Sequence, residues 1–361
     1  MKPIDIARRR LRALGLEGKP LASADEAVRW MGAVQSQEFG MAKWSLGERV
    51  RGITDADVQR AFDAGAILRT HVLRPTWHFV HPHDIRWIQE LTAAKVHAQN
   101  AYMYRQTGMD DGIGQKSNRV LRDVLRGGNH LTRRELESVL EREGIAAKAV
   151  GMAYILIQAE LDCLVCSGPM QGKQHTYALL EERAPDARSL PRDEALAELV
   201  VRYFTSHGPA TAKDMRWWSS LTLAEILQGV EAAGDRLREE VIGGVSYWSA
   251  PARAAKKQPS PKVYLLQGYD EYFVGYSESR GVIGGQWGRP TLPESASYLG
   301  GVVLDTQLVG RWKRAVGKRA VTFTVALPTP FDDARMQALH DAADRQGAFL
   351  DLPAIVEIAS V

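Results

Sequence analysis

The sequence predicts an α+β chain, built as three tandem helix–helix–helix–hairpin units followed by a strand-rich C-terminal part. Three observations carry this. Capping boxes of the form S/T-x-x-E recur through residue 225. Helical periodicity comes in groups of three. Each group is followed by two apolar runs with a turn or break between them. Three helices and then a hairpin is the order of a winged helix, in which the third helix enters a groove and the hairpin lies on the backbone.

The first unit is expected over residues 1–83. Its helices fall at 4–14, 24–34 and 55–64, and its apolar runs around 66–73 and 76–81. Ser23-Ala24-Asp25-Glu26 opens the second helix, and Thr54-Asp55-Ala56-Asp57, read with Asp for Glu, opens the third. In each, the hydroxyl satisfies an orphan amide and the acid favours the positive helix end. A connecting segment, 84–116, holds a long helix over 84–106 that separates the first unit from the second.

The second unit, 117–190, reads as helices at 117–127, 133–143 and 148–160. Thr132 and Glu135 box the middle one. A strand at 161–167, a polar Gly-rich tip at 168–174 and a strand at 175–179 follow. The third unit, 191–250, opens with a helix at 193–206 that His207-Gly208-Pro209 stops. Thr211 with Asp214 starts a short helix through Trp218. Thr222 with Glu225 starts another to about 232. Two strands then flank Gly243-Gly244, a two-residue hairpin signal. Pro251 to Pro261 reads as a linker. Residues 262–361 carry strands at 263–266, 302–304 and 321–325, a helix at 333–346 and a last strand near 354–358.

Composition narrows the function classes. The chain has 361 residues, 46 Lys+Arg against 43 Asp+Glu, and 45% hydrophobic residues. These values exclude a disordered chain, a collagen-like repeat and a disulfide scaffold. No apolar run is long enough for a membrane span, and Met1 to Arg10 has no apolar core of a secretory signal, so a cytoplasmic place is expected. A net charge of +3 is too small to identify a polyanion partner by itself.

The common catalytic signatures are absent. There is no phosphate-binding G-x-x-x-x-G-K-[ST], no G-x-G-x-x-G after a strand, no H-E-x-x-H and no G-x-S-x-G. Cys163 and Cys166 form a C-x-x-C with no second ligand pair, and read as reduced core or half-buried thiols. His78, His81 and His83 lie close in sequence, but His78 and His81 differ in strand parity and Pro82 interrupts, so no metal and no cofactor are expected. The informative local feature is Gln35-Ser36-Gln37, placed at the C-terminal end of the helix that Ser23 opens, with Phe39-Gly40 suiting the helix end. Two amides at i and i+2 share a side only if the backbone is extended there. Such a pair can hold a water and accept hydrogen bonds from it.

Several segments together resemble one family. They are Gln35-Ser36-Gln37; Arg74-Pro75-Thr76-Trp77-His78; Tyr203 through His207-Gly208-Pro209-Ala210-Thr211 to Asp214 and Trp218; Leu265-Leu266 through Asp270 to Arg280; and Gly310-Arg311-Trp312-Lys313-Arg314. The chain resembles, from about residue 4 to 325, the superfamily of winged-helix DNA glycosylases that includes the azinomycin-resistance enzyme. The resemblance implies three tandem winged helices with a C-terminal β-barrel-like part. It implies catalysis by Gln35 and Gln37, and N7-alkylated guanines or interstrand crosslinks as substrates. Ser36 stands where the family usually has an apolar residue, and Pro75 where it often has glycine.

The chemistry is consistent with two amides. An N7-alkylated guanine is cationic and already a good leaving group, so water must be held near C1′ and oxocarbenium-like charge tolerated. Glu38 is the rival base, but it is one residue past Gln37 and points away if Gln37 points in. For double-stranded DNA, Arg74, His78, Lys213, Arg216, Arg311, Lys313 and Arg314 are the candidate contacts. Trp217-Trp218 reads as one surface and one core residue, and His207 as a helix cap. A monomer associated with the nucleoid is expected. The competing reading is a non-catalytic winged-helix regulator, against which stands the lack of Lys or Arg in 222–234.

Overall fold

A computed structural model describes residues 2–145, 150–251, 260–284 and 300–359. The first unit contains α1 (Pro3–Ala13), α2 (Ala24–Met31), β1 (Val34–Gln35), α3 (Phe39–Gly47), α4 (Asp55–Asp63), β2 (Leu68–Val72) and β3 (Arg74–Val80). Its strands form an antiparallel sheet in the order β1-β3-β2. Ser23 accepts from the Glu26 amide, and Thr54 and Asp57 make the reciprocal box. Two expectations fail here. The helix expected over 24–34 stops at Met31 and gives way to β1. Phe39 opens a helix rather than ending one. In α3 every residue from Met41 to Leu46 is buried, so no polar stripe marks it as a helix.

Helix α5 (Ile85–Gln106) leads to the second unit: α6 (Asp111–Leu125), β4 (Leu131–Thr132), α7 (Arg133–Arg142), α8 (Val150–Leu161), β5 (Val165–Ser167), β6 (Thr176–Leu179) and α9 (Leu180–Arg183). The sheet order is β4-β6-β5, and Leu121, Leu136, Leu140 and Leu156 give the unit its own core. The strand expected from 161 starts only at Val165, because Leu161 still belongs to α8 and Cys163 sits at φ 55 in the turn. Cys163 and Cys166 are free thiols, and burial pushes both up to about 12.

The third unit holds α10 (Arg192–Ser206), α11 (Ala212–Ser219), α12 (Leu223–Ala233), β7 (Arg238–Ile242) and β8 (Val245–Ser249). Gly243 and Gly244 take φ values of 60° and 78°, the two left-handed positions of a type I′ hairpin. Helix α5, which lies between the first two units along the chain, joins them in space. It packs on β2, β3, α8 and α10, and its Trp87, Ile88 and Leu91 join Leu196, Leu199, Val200 and Phe204 in one core.

The C-terminal part comprises β9 (Val263–Gln267), α13 (Glu271–Val274), β10 (Gly300–Leu304), β11 (Gln307–Val316), β12 (Val321–Ala326), α14 (Asp333–Phe349) and β13 (Ala354–Ile358). The sheet order is β13-β12-β11-β10-β9, antiparallel except for the parallel pair β12–β13 that α14 bridges. Among the described residues β9 and β13 are edges, so this sheet is open and not a closed barrel. Most of the linker expected at 251–261 lies outside the described residues. Met41 of α3 packs on one sheet face with Leu265, Trp312 and Leu339. Leu11 and Leu14 pack on the other with Tyr264, Tyr272 and Phe273. The Trp44 indole donates to the Leu265 carbonyl at 2.8 Å. These contacts lock the first unit onto the C-terminal sheet and bring α13 against β1.

Candidate active site

Gln35 is the last residue of β1 and lies opposite His78 of β3. The Ser36 amide donates to the Trp77 carbonyl at 2.7 Å, so the extended backbone continues past the strand. The chain then bends at Gln37 and Glu38 before α3 begins. Gln35 is 6% exposed, Ser36 is fully buried and Gln37 is exposed. One amide is packed in the protein and the other faces solvent.

Ser36 points into packed protein, and its hydroxyl has no hydrogen-bond partner there. An apolar side chain suits that position better. Ser36→Ala is expected to stabilise the fold by about 1 kcal/mol, since a buried unsatisfied hydroxyl costs roughly that much. Urea denaturation of the two proteins checks it; a loss of stability would contradict the burial argument.

Gln35 is pinned from two directions. The Arg74 guanidinium donates to its Oε1 at 3.0 Å, and its backbone amide donates to Glu271 Oε1 at 3.0 Å. Glu271 is fully buried, and its other oxygen accepts from the Trp218 indole at 3.0 Å and from His207 Nε2 at 3.2 Å. Burial alone would raise the pKa of this carboxyl. The His207 hydrogen bond, the charges of His207 and Arg74, and the Gln35 amide more than offset it and hold it at about 2. A carboxylate is therefore fixed in the wall directly behind Gln35.

Helix α13, which carries Glu271, is itself held on several sides. Asp270 caps it, accepting from the Tyr272 amide, and receives a two-pronged bond from Arg49 at 2.8 Å on each oxygen. Tyr203 donates to the Gly275 carbonyl at 2.7 Å and the Trp217 indole to the Val274 carbonyl at 3.0 Å. A Cβ at Gly275 would lie 2.8 Å from the His207 ring, so glycine is required for that ring to stand where it does.

The family model for AlkZ-like DNA glycosylases matches residues 28–349. The chain belongs to the AlkZ-like DNA glycosylase family. The enzyme is 23% identical over 348 residues to the interstrand DNA cross-link repair glycosylase of Streptomyces sahachiroi, covering 92% of this chain and 94% of that one. Its fold matches the solved structure of the Streptomyces sahachiroi DNA glycosylase AlkZ with a TM-score of 0.82 at 21% identity, over 99% of this chain and all of that one.

In this glycosylase the predicted contact residues fall into different places. Arg74 is committed to Gln35. His78 is fully buried, its Nδ1 against the Thr76 carbonyl at 2.9 Å, and burial draws it down to about 3, so its ring is neutral. It lies beside Gln35 inside the wall and does not reach a DNA surface, which corrects the expectation for it. Lys213 and Arg216 are exposed on α11, and Lys213 pairs with Glu278 at 2.5 Å. Arg314 reaches the Gly40 carbonyl at 3.4 Å, whereas alternation puts Arg311 and Lys313 on the other face of β11. Glu38 is exposed at the start of α3 and has no cap bond.

The residues that sequence reasoning missed are Glu271 and Arg69. Arg69 is buried, lies 4.2 Å over the Trp77 ring and donates to the Ser36 carbonyl, which fixes the strand from behind. His207, read as a cap, does end α10 and also holds Glu271. Among the described residues no group of His, Cys, Asp and Glu could hold a metal ion, and no helix is long and apolar enough to cross a membrane.

Proposed function

We propose that this glycosylase hydrolyses the C1′–N9 bond of N7-alkylguanine in double-stranded DNA, and of interstrand crosslinks built from it, using water held by Gln35 and Gln37. The observation that supports the reading is a Gln35 amide fixed by Arg74 and Glu271, with the exposed Gln37 two residues on. The cross-link activity named for the Streptomyces sahachiroi relative supports the substrate class.

As C1′–N9 breaks, the electron pair passes to the cationic base, which leaves neutral. Water bonds to C1′ and its proton goes to solvent. An amide cannot take that proton as a carboxylate does, so the power of the site rests on orientation and preorganised dipoles, suited to labile lesions. Arg74 orients the Gln35 amide. Glu271 anchors the Gln35 backbone and supplies fixed negative charge behind the developing cation on the sugar. The three helix–sheet units, 1–83, 117–190 and 191–250, act as winged helices around this site, with a single copy of the chain sufficing.

The test is incubation with duplex carrying N7-methylguanine, followed by alkaline cleavage at abasic sites. Strand breaks that depend on the enzyme support the reading, and their absence refutes it. Duplex affinity should also fall steeply between low and physiological salt, because Lys and Arg contacts release phosphate counterions. Charge reversal at Arg314 should lower that affinity without sequence preference. Binding that ignores salt would remove phosphate contact from the account.

A further inference from the structure

Trp217 and Trp218 both donate to α13, but from opposite sides of the surface. Trp218 is buried and reaches Glu271. Trp217 is 48% exposed, yet its indole is tied to the Val274 carbonyl at 3.0 Å. A large aromatic ring held still while facing water contributes little to the core. It is instead presented to something that stacks on it.

Two guanidinium groups surround that ring. The Arg74 and Arg280 central carbons lie 5.9 Å and 5.6 Å from its centre. Arg74 donates to the Gln35 side-chain oxygen, and Arg280 donates to the Tyr276 carbonyl at 2.9 Å and 2.6 Å. These acceptors are neutral, and among the described residues neither arginine makes an ion pair with a carboxylate. Both are held below the usual arginine value, by burial first, and Arg74 also by repulsion from Arg280. The carboxylate charges that act on them, Glu271 on Arg74 and Asp214 on Arg280, are buried and bonded to other groups, so the two like charges flanking the exposed indole form a site for an anion carrying a flat face. Because Arg74 also holds Gln35, the site adjoins the catalytic amides.

We infer that Trp217, Arg74 and Arg280 form a nucleotide-holding edge of the active site. A DNA phosphate sits on the two guanidinium groups, and the adjoining base stacks on the indole. This rests on the proposed function and adds to it a contact that distinguishes disrupted DNA from intact DNA. In an intact duplex the bases stack on one another, so the ring gains a partner only where the stack is opened.

The experiment measures affinity for two duplexes, one intact and one with a single tetrahydrofuran abasic-site analogue, alongside single-turnover release of N7-methylguanine. Trp217→Ala should weaken binding to the analogue duplex about tenfold, the size of one lost base–aromatic stack, and change intact-duplex binding less than about twofold. Trp217→Phe should restore most of the loss, since it keeps the aromatic face. Arg280→Gln should lower the salt slope by about one phosphate contact. Equal wild-type affinities, equal weakening on both duplexes, or no rescue by phenylalanine would overturn the inference. The two readings fail separately. A Trp217-dependent preference without base release leaves the edge and removes the chemistry. Base release unaffected by Trp217→Ala, with binding unchanged, leaves the chemistry and removes the edge.

Discussion

Replacing Gln35 or Gln37 by alanine is expected to slow single-turnover release of N7-methylguanine by about 10²–10³, the usual cost of one preorganised dipole at a reacting centre. The two variants should differ in side effects. Gln37 is exposed, so its loss should leave stability unchanged. Gln35 accepts from Arg74 inside the wall, so its loss frees a half-buried guanidinium and should cost about 1 kcal/mol as well. Gln37→Glu separates positioning from proton removal. A carboxylate there takes the proton of the water, so activity should survive, whereas Glu38→Gln should change little.

Asp270→Ala should produce the largest loss of stability. Arg49 and Asp270 are both fully buried and joined by two bonds of 2.8 Å. Removing one partner of such a pair leaves an uncompensated buried charge and costs about 3–5 kcal/mol. The same change removes the cap of α13, so Glu271 should lose its place and base release should fall together with stability. Arg49→Met combined with Asp270→Leu should recover much of the stability but not the rate, because the cap is still missing. Urea midpoints and single-turnover rates on the wild type, Arg49→Met, Asp270→Leu and the double variant check this, and a fully additive cycle would contradict a direct pair.

Legibility in the sequence followed the physical signal each element carries. Helices α4, α7, α11 and α12 announce themselves through threonine caps and a clear polar face, and all form close to where they are expected. The Gly243-Gly244 turn is equally plain, because only left-handed backbone suits that doublet between strands. Helix α3 is buried on every side and carries no side-chain cap, so neither period nor cap reveals it. Strand β1 is two residues long, too short for any alternation to register, and the Gln35–Gln37 segment therefore reads as the tail of a helix.

The site divides along the same line. Gln35 and Gln37 are visible in the sequence as a pair of amides two residues apart. Glu271 is invisible locally. It follows a capping aspartate in a short helix, and its importance comes from His207, Trp218 and Gln35, which lie 53 to 236 residues away in sequence. His78 shows the opposite error. A polar residue next to Trp77 on a strand suggests a contact surface, but pairing with β1 turns it into the wall.

The most direct test compares the wild-type protein with the Gln35→Ala, Gln37→Ala double variant on one N7-methylguanine duplex, enzyme in excess, following the free base over time. The account predicts release by the wild type and, from the double variant, release near the rate of the duplex alone with DNA affinity retained. Release by the double variant at the wild-type rate would contradict it.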